Sequence, residues 1–384
     1  MNIGFDAKRA FHNTTGLGYY SRTLIRLLAR YYPEHAYYLF NPRPSGRYRF
    51  SDPGVQEVLP ATRLDRMFSS WWRSHRVKRD LGRLSIGLYH GLSHEVPIGI
   101  AATGIRSVVT IHDLIHERFP GQYNPIDVRI YSRKFRYACR TTDHIIATSE
   151  QTRQDILAFY RTNPEKITVC YQSCDPAFSQ EVPQELRKRV ASKYRLPAEY
   201  ILYVGSVIER KNLLGLCRAL QVLGADRVPP LVVVGTGRGA YYRSVRSFID
   251  QQQLGERVWF LSERPEAMKE PDYLGTQDLA AIYQSASALV YPSFFEGFGL
   301  PVLEAISAGL PVITSRSSCL PEVGGTAAVY VDPAQPESIA DALERVLSQE
   351  SLRRDMIARG REHARLFAPD RYARSVMQVY QSIW

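Results

Sequence analysis

Two glutamates eight residues apart, Glu296 and Glu304, stand on either side of a glycine-containing turn in Y-P-S-F-F-E-G-F-G-L-P-V-L-E-A, residues 291–305. The strand-like run ALVYPS leads into the turn, and a helix is predicted to begin near Leu300–Pro301. Proline is tolerated there because its missing N–H has no intrahelical partner in the first turn. The N–H groups of Phe298, Gly299 and Leu300 would point at an anion, and Gly297 and Gly299 would let it approach the backbone closely. Glu296 precedes the turn and Glu304 lies in the first helical turn, so both can border one pocket. The chemistry they offer is hydroxyl binding, Glu304 on a ribose and Glu296 on a sugar. The plainer alternative is that Glu304 only complements the helix dipole.

A second segment, V-G-S-V-I-E-R-K-N at 204–212, follows the run YILYV and precedes a helix. Ser206, Arg210 and Lys211 would project from a strand end and supply a hydroxyl and two cations to a diphosphate. A third, N-T-T-G-L-G-Y-Y-S at 13–21, follows the first strand and opens a helix. There Gly16 and Gly18 would form a tight turn over phosphate. The run G-T-G-R-G at 235–239 resembles a dinucleotide fingerprint but lacks the full spacing and follows its domain's second strand, which argues against an NAD site. His90/His94 and His112/His116 have helical i,i+4 spacing. Gly91 interrupts the first pair and a strand precedes the second, so zinc is not expected. There is no D-x-D pair to hold a diphosphate through a divalent metal. No nucleophile triad is recognisable, and neither a metal nor a cofactor is expected.

Short apolar runs alternate with amphipathic segments throughout. In the first half MNIGFD, YYLF, VQEVL, GLYHG, SVVTIHD, HIIATS and ITVCY read as strands. In the second, YILYVG, LVVVG, VWFLS, ALVYPS, PVITS and AVYVD do. Helices fit between them, for example at 212–223 and 301–308. This alternation predicts an α/β protein of two doubly wound Rossmann-like domains, with ligands at the carboxyl ends of parallel strands. A length of 384 residues suits two such domains. We expect them at 1–180 and 181–369, separated near the polar, proline-containing CDPAFSQEVPQ. The amphipathic last helix, 370–384, is expected to pack back on the first.

Apolar residues at 45% and charged residues at 23% are ordinary for a globular chain. The start MNIGFDAKRAF reads as a first strand without signal-peptide layout, and no apolar run is long enough to span a membrane. Five scattered cysteines read as reduced core thiols of a cytoplasmic protein. The net charge of +11 belongs almost wholly to the first 180 residues, which implies an acidic partner there. Residues 63–81 set Met67, Phe68, Trp71 and Trp72 among cations. As a helix this segment would lie on an anionic membrane, tryptophans at the interface and cations snorkelling. Residues 129–140 have the same character, and the alternative for 63–81 is a core-packed helix with a basic solvated face.

The order of GLGYYS, HGLSH, TIHDL, IATSEQTRQD, VGSVIERKN, VVVGTG and FFEGFGLPVLEA resembles family 4 of the retaining glycosyltransferases over nearly the whole chain. The E-x7-E segment is that family's most specific mark. The resemblance implies the GT-B architecture, two Rossmann-like domains facing across a cleft, with a nucleotide-sugar donor on the second and the acceptor on the first. It implies that Glu296 contacts the transferred sugar, Glu304 holds the ribose, Arg210 and Lys211 bind the diphosphate, and Gly16 lies beside the phosphates. His112, in TIHDL, resembles the histidine near the reacting centre. Front-face substitution follows as the expected mechanism, with charge on the leaving diphosphate stabilised by cations and a helix start. A leaving-phosphate oxygen would take the acceptor's proton, and closure of the domains would exclude water.

The sugar is expected to be a hexose or deoxyhexose, with GDP-mannose preferred from family frequency. The acceptor would be a glycan or lipid-linked sugar of bacterial surface polysaccharide or glycolipid, made by an enzyme peripheral on the cytoplasmic membrane's inner face. One departure is the loop at 263–276, which lies where the family seats the base. Three rivals are a non-hydrolysing sugar-nucleotide epimerase of the same architecture, a nucleic-acid-binding protein and an NAD-dependent oxidoreductase. No recognition motif supports the second, so nucleic acid is not an expected partner.

Overall fold

The computed structural model describes residues 1–224, 227–263, 268 and 273–384. Most of the loop at 263–276 therefore lies outside the described residues. The chain divides into two units, Met1–Ser173 with Phe367–Trp384, and Cys174–Leu366.

Each of the thirteen runs expected as strands forms one. The first unit holds β1 (Asn2–Asp6), β2 (Ala36–Phe40), β3 (Val55–Val58), β4 (Leu88–Gly91), β5 (Arg106–Ile111), β6 (His144–Ala147) and β7 (Ile167–Val169). They make one sheet in the order β3-β2-β1-β4-β5-β6-β7. All of its pairings are parallel. The second unit holds β8 (Ile201–Val204), β9 (Leu231–Val234), β10 (Val258–Phe260), β11 (Ala288–Tyr291), β12 (Val312–Ser315) and β13 (Ala328–Val331). Their order is β10-β9-β8-β11-β12-β13, again all parallel.

Parallel strands are covered by helices on both faces, so they read as near-continuous apolar runs. Every residue of Leu231–Val234 is buried. In β5, Val108 faces one core layer of the first unit while Val109 and Ile111 face the other. Each sheet reverses its winding direction once, between β1 and β4 in the first and between β8 and β11 in the second. The crevice at the strands' carboxyl ends beside such a reversal is where ligands bind in this architecture. The chemistry-bearing segments singled out in the sequence leave the sheets at these two places.

The helix Pro369–Ile383 belongs to the first unit. Its Tyr372, Val376 and Tyr380 enter the core shared with the helix Gly16–Tyr31, and the Tyr380 hydroxyl lies 2.6 Å from His90 Nδ1. The boundary after residue 173 precedes the expected one at 180. Residues that follow it are tied to the second unit: the Phe178 ring meets Tyr283 edge-on at 5.2 Å, and Gln284 donates to the Gln180 carbonyl at 2.6 Å.

Residues 63–81 do not form one continuous helix. They break into Arg63–Met67, Ser69–Trp71, a π-helical turn Trp72–Arg76 and Val77–Arg83. The two tryptophans are thereby turned apart. Trp72 is fully buried and donates to Asp80 at 2.8 Å, so it is a core residue and not an interfacial one. Leu64, Met67, Phe68 and Trp71 remain exposed. All five cysteines are buried and unpaired in disulfides.

Candidate functional site

The second unit's site forms where β8 and β11 run out side by side. Beyond β8, Gly205 adopts φ +150°, and a Cβ there would come within 2.9 Å of the Lys211 side chain. Residues Glu209–Lys211 form a single turn that ends on Asn212, left-handed at φ 55°, whose side chain caps the helix Leu213–Leu223. That turn presents Arg210 and Lys211 to the loop beyond β11. Glu296, buried in that loop, receives Arg210 Nη1 at 2.9 Å and Lys211 Nζ at 3.5 Å. It also accepts from the Tyr291 hydroxyl and from Ser293 Oγ, both at 2.9 Å. Lys211 donates to the Tyr291 hydroxyl at 2.6 Å, and Arg210 to the Phe295 carbonyl. Ser318 Oγ and Cys319 Sγ hold the backbone of Glu296 at 3.0 and 3.1 Å.

Burial alone would raise the Glu296 carboxyl, but Lys211 and Arg210 outweigh it and hold the group down at about 2. Burial pulls Lys211 below its usual value, with Glu296 opposing and Arg210 adding to the pull. The sequence turns both cations toward a diphosphate; in the structure they close on Glu296. Gly299, left-handed at φ 94°, caps the helix Leu300–Ser307, with Pro301 in its first turn and the Phe298 ring buried before it. Ser206 is exposed.

Glu304, inside that helix, accepts from the Tyr283 hydroxyl at 2.7 Å. Burial pushes its carboxyl up to about 7; Tyr283 and Lys211 act against the rise and Asp175 adds to it. Glu296 and Glu304 thus differ in charge behaviour near neutral pH, a contrast the motif alone does not carry.

In the first unit Gly16 opens the helix Gly16–Tyr31, with open space around it. Gly18 serves the loop's own geometry: its N–H donates to Thr15 O at 2.9 Å and Asn13 Oδ1 at 3.2 Å. A Cβ on Gly18 would come within 2.0 Å of the Asn13 carbonyl oxygen. The expected phosphate-facing N–H at Gly18 is therefore already engaged within the loop. One turn later, the Tyr20 ring meets His112 edge-on at 4.3 Å. His112 lies just past β5, buried, with Nε2 2.9 Å from the Leu92 carbonyl. A carbonyl only accepts, so Nε2 carries the proton. Burial, with His94 adding to it, lowers the ring to about 3, so His112 is neutral and its Nδ1 is a hydrogen-bond acceptor. Among the described residues no cluster of side chains could hold a metal ion.

Two family models match the chain, "Glycosyltransferase Family 4" over residues 14–178 and "Glycosyl transferases group 1" over 186–363. The chain is 31% identical over 301 residues to O-antigen chain mannosyltransferase B of Escherichia coli, covering 77% of this chain and 74% of that protein. The chain belongs to glycosyltransferase family 4.

Other relatives of this glycosyltransferase include O-antigen chain mannosyltransferase RfbU of Salmonella typhimurium, 26% identical over 279 residues, 72% of this chain and 69% of that one. The fold matches Anabaena Alr3699/HepE, solved with UDP and glucose, at a TM-score of 0.74 and 15% identity, with all of both chains covered. It matches WaaG, a glycosyltransferase involved in lipopolysaccharide biosynthesis, at 0.72 and 18% over 98% of this chain and 99% of that one.

Several residues that surround Glu296 and Glu304 in the candidate site escape the sequence reading. Tyr291 and Ser293 were visible only as part of the strand run, yet both hydrogen-bond Glu296. Tyr283 and Ser318 belong to segments with no motif. In G-T-G-R-G the glycines support the site through close packing. A Cβ on Gly235 would lie 1.9 Å from the Gly205 carbonyl oxygen, and one on Gly237 would lie 2.7 Å from Val207. They seat the loop that carries Arg210 and Lys211.

If Glu304 receives a ribose, the ionised form is the better acceptor. Donor affinity is then expected to strengthen as pH rises through about 7. In Glu304→Gln, affinity should be weaker and flat across that range, which calorimetric titration of nucleotide between pH 6 and 8 would test. The carboxyl's raised value also means that its contribution to folding favours low pH and is lost as pH rises through about 7.

Proposed function

We propose that this chain is a retaining transferase moving a hexose or deoxyhexose from a nucleotide sugar onto a glycan or lipid-linked acceptor of a bacterial surface polysaccharide. The observation that carries this reading is the Arg210–Glu296–Lys211 set, its arginine and glutamate buried, at the second sheet's reversal point. The O-antigen mannosyltransferase relatives make GDP-mannose the first donor to test. The UDP bound to the HepE structure makes UDP-sugars the second.

In this mechanism the donor's diphosphate draws Arg210 and Lys211 from the Glu296 carboxylate. The two cations, together with the start of the helix Leu300–Ser307, stabilise charge on the leaving group without a divalent metal. Glu296, relieved of its counterions, faces the sugar hydroxyls and the positive character that develops at the anomeric carbon. Glu304 holds the ribose. His112 contributes hydrogen bonding through neutral Nδ1; with its ring lowered to about 3, it is not suited to holding a proton near neutral pH. A leaving-phosphate oxygen receives the acceptor's proton.

The test is a thermal-shift panel of GDP-, UDP-, ADP- and dTDP-sugars with EDTA present. A ligand bound only by the native state raises its apparent stability. Stabilisation by one nucleotide class despite chelator is expected. Absence of any shift, coupled with a shift by NAD or DNA, would remove the transferase mechanism.

We place the enzyme on the cytoplasmic face of an anionic membrane. No described helix is long and apolar enough to cross one. Support for surface binding comes from exposed Leu64, Met67, Phe68 and Trp71, together with Ile126 and Ile130 on the basic helix Pro125–Thr141. These segments are neighbours, since Glu95 binds both Arg73 and Lys134 and Ser74 accepts from the Ile98 N–H at 2.7 Å. Replacing Phe68 and Trp71 with serine should reduce sedimentation with phosphatidylglycerol vesicles by about tenfold, given about 25 cal/mol per Å² of apolar surface lost. Unchanged sedimentation would remove this surface as the anchor.

A further inference from the structure

The helix Pro369–Ile383 reaches the first sheet through a side chain that the transfer chemistry leaves unused. The Tyr380 hydroxyl lies 2.6 Å from His90 Nδ1, and His90 Nε2 lies 2.8 Å from Thr110 Oγ1. Thr110 Oγ1 in turn lies 2.8 Å from the Tyr20 hydroxyl. All four side chains are buried. The bonds form one unbroken chain from the last helix, through β4 and β5, to the helix Gly16–Tyr31. Burial, with His112 adding to it, lowers His90 to about 3, so its ring is neutral. Burial also raises both tyrosine hydroxyls, which therefore keep their protons. A neutral imidazole donates one bond and accepts one. Turning the His90 ring over would put carbon where each nitrogen stands and break both bonds.

The far end of this chain bears on His112. The Tyr20 ring stands edge-on to it, with centroids 4.3 Å apart and planes at 88°. Thr110 also holds a second neighbour of that ring. Its carbonyl accepts the His94 N–H at 2.9 Å, and the His94 ring meets His112 at 5.1 Å and 66°. His94 sits in a left-handed conformation at φ 64°, with its ring stacked on Phe135 at 4.2 Å. Its Nδ1 is buried with no partner among the described residues, so stacking is what fixes that ring. Thr110 thus serves both neighbours of His112, one through its side chain and one through its backbone. With Nε2 on the Leu92 carbonyl and two rings bounding it, the His112 imidazole is held in one orientation, which leaves Nδ1 for the reacting sugar.

We propose that Tyr380, His90, Thr110 and Tyr20 are positioning residues for sugar transfer, through which the last helix of the chain sets the orientation of His112. They act through that ring and supply no group to the reaction themselves. The inference rests on the reading of His112 as the histidine beside the reacting sugar. The orientation of the ring can be measured without the reaction.

The experiment compares Tyr380→Phe with Val376→Ala in the full chain. Tyr380→Phe keeps the ring and removes only the hydroxyl, whereas Val376 is buried on the same helix and takes no part in the bonded chain. One readout is kcat and KM for release of GDP from GDP-mannose into water, or of UDP from UDP-glucose if the thermal-shift panel selects that base. The other is the long-range 1H–15N NMR spectrum of the histidine side chains, with His112 assigned from the signals lost in His112→Ala. In the parent, His112 should show the Nε2-protonated form. In Tyr380→Phe its signals should shift or double, and kcat should fall by about tenfold with donor KM within about twofold, because a small displacement of a reacting group costs rate. Thr110→Val should repeat this result, and Thr110→Ser, which keeps the hydroxyl, should retain the parent's signals and kcat. Val376→Ala should lower the melting temperature and leave both the His112 signals and kcat near the parent's. Unchanged His112 signals or unchanged kcat in Tyr380→Phe would overturn the proposal, as would an equal loss of kcat in Val376→Ala. Full kcat in His112→Ala would instead place the failure in the reading of His112, and a parent that turns over neither donor would place it in the transferase reading. In both of those cases the NMR comparison still decides whether the last helix sets the ring.

Discussion

Glu296→Gln should reduce sugar transfer by about 10²–10³-fold, the scale of removing one preorganised electrostatic partner from a water-poor site. It should also lower stability by about 3–5 kcal/mol, because buried Arg210 and half-buried Lys211 would lose their carboxylate. The carboxyl is held at about 2, so its stabilisation is present above the usual carboxylate range and is lost as pH falls through that value. Acid unfolding monitored by circular dichroism should therefore differ least between variant and parent at the lowest pH. A second readout separates the two roles. If Glu296 neutralises the cations at rest, a saturating nucleoside diphosphate should recover much of the variant's lost stability. A variant as active and as stable as the parent would sever Glu296 from this site.

Gly235→Ala should be nearly as damaging through packing alone. Its Cβ would meet the Gly205 carbonyl oxygen at 1.9 Å, an overlap only backbone movement can relieve. Overpacking of this kind costs about 1–3 kcal/mol. The segment forced to move is the one that positions Arg210 and Lys211, and a displacement of about 1 Å at reacting groups can cost about 10²-fold in rate. Donor affinity and turnover should therefore both fall, with a lowered melting temperature measured alongside. Gly239→Ala is the comparison, because open space surrounds that position although its φ of +82° adds backbone strain. An activity loss in Gly235→Ala no larger than that in Gly239→Ala would remove the seat under Gly205 as the cause.

The fold was legible because parallel strands buried on both faces leave uninterrupted apolar runs, as in LVVV at β9. The candidate site drew notice for a related reason: glycine, glutamate and paired cations at strand ends have few structural uses together. What could not be read was pairing. β8 and β11 are distant in sequence and become neighbours only through parallel crossovers, so the closure of Arg210 and Lys211 on Glu296 has no local signal. Trp71 and Trp72 show the same limit on a smaller scale. Their sequence suits a regular helix, whereas the break into a π-helical turn buries one ring and exposes the other. The packing role of the G-T-G-R-G run depends on a carbonyl from another strand's end, which its spacing does not announce. For His94 the sequence offers only metal-ligand spacing, and its unpartnered Nδ1 is a property of three-dimensional surroundings.

The helix Pro369–Ile383 has a consequence for how the protein is made. Its tyrosines and valines complete the core beside Gly16–Tyr31, and the ring of Trp384 lies where a side chain on residue 87 would otherwise go. A ribosome delivers that wall only after the whole of Cys174–Leu366 has emerged. The second unit is continuous in sequence and can be finished first, although nascent domains are usually completed from the amino terminus onward. Until then Leu24 and Leu28 face an unfilled side, and the nascent first unit needs shelter during the interval.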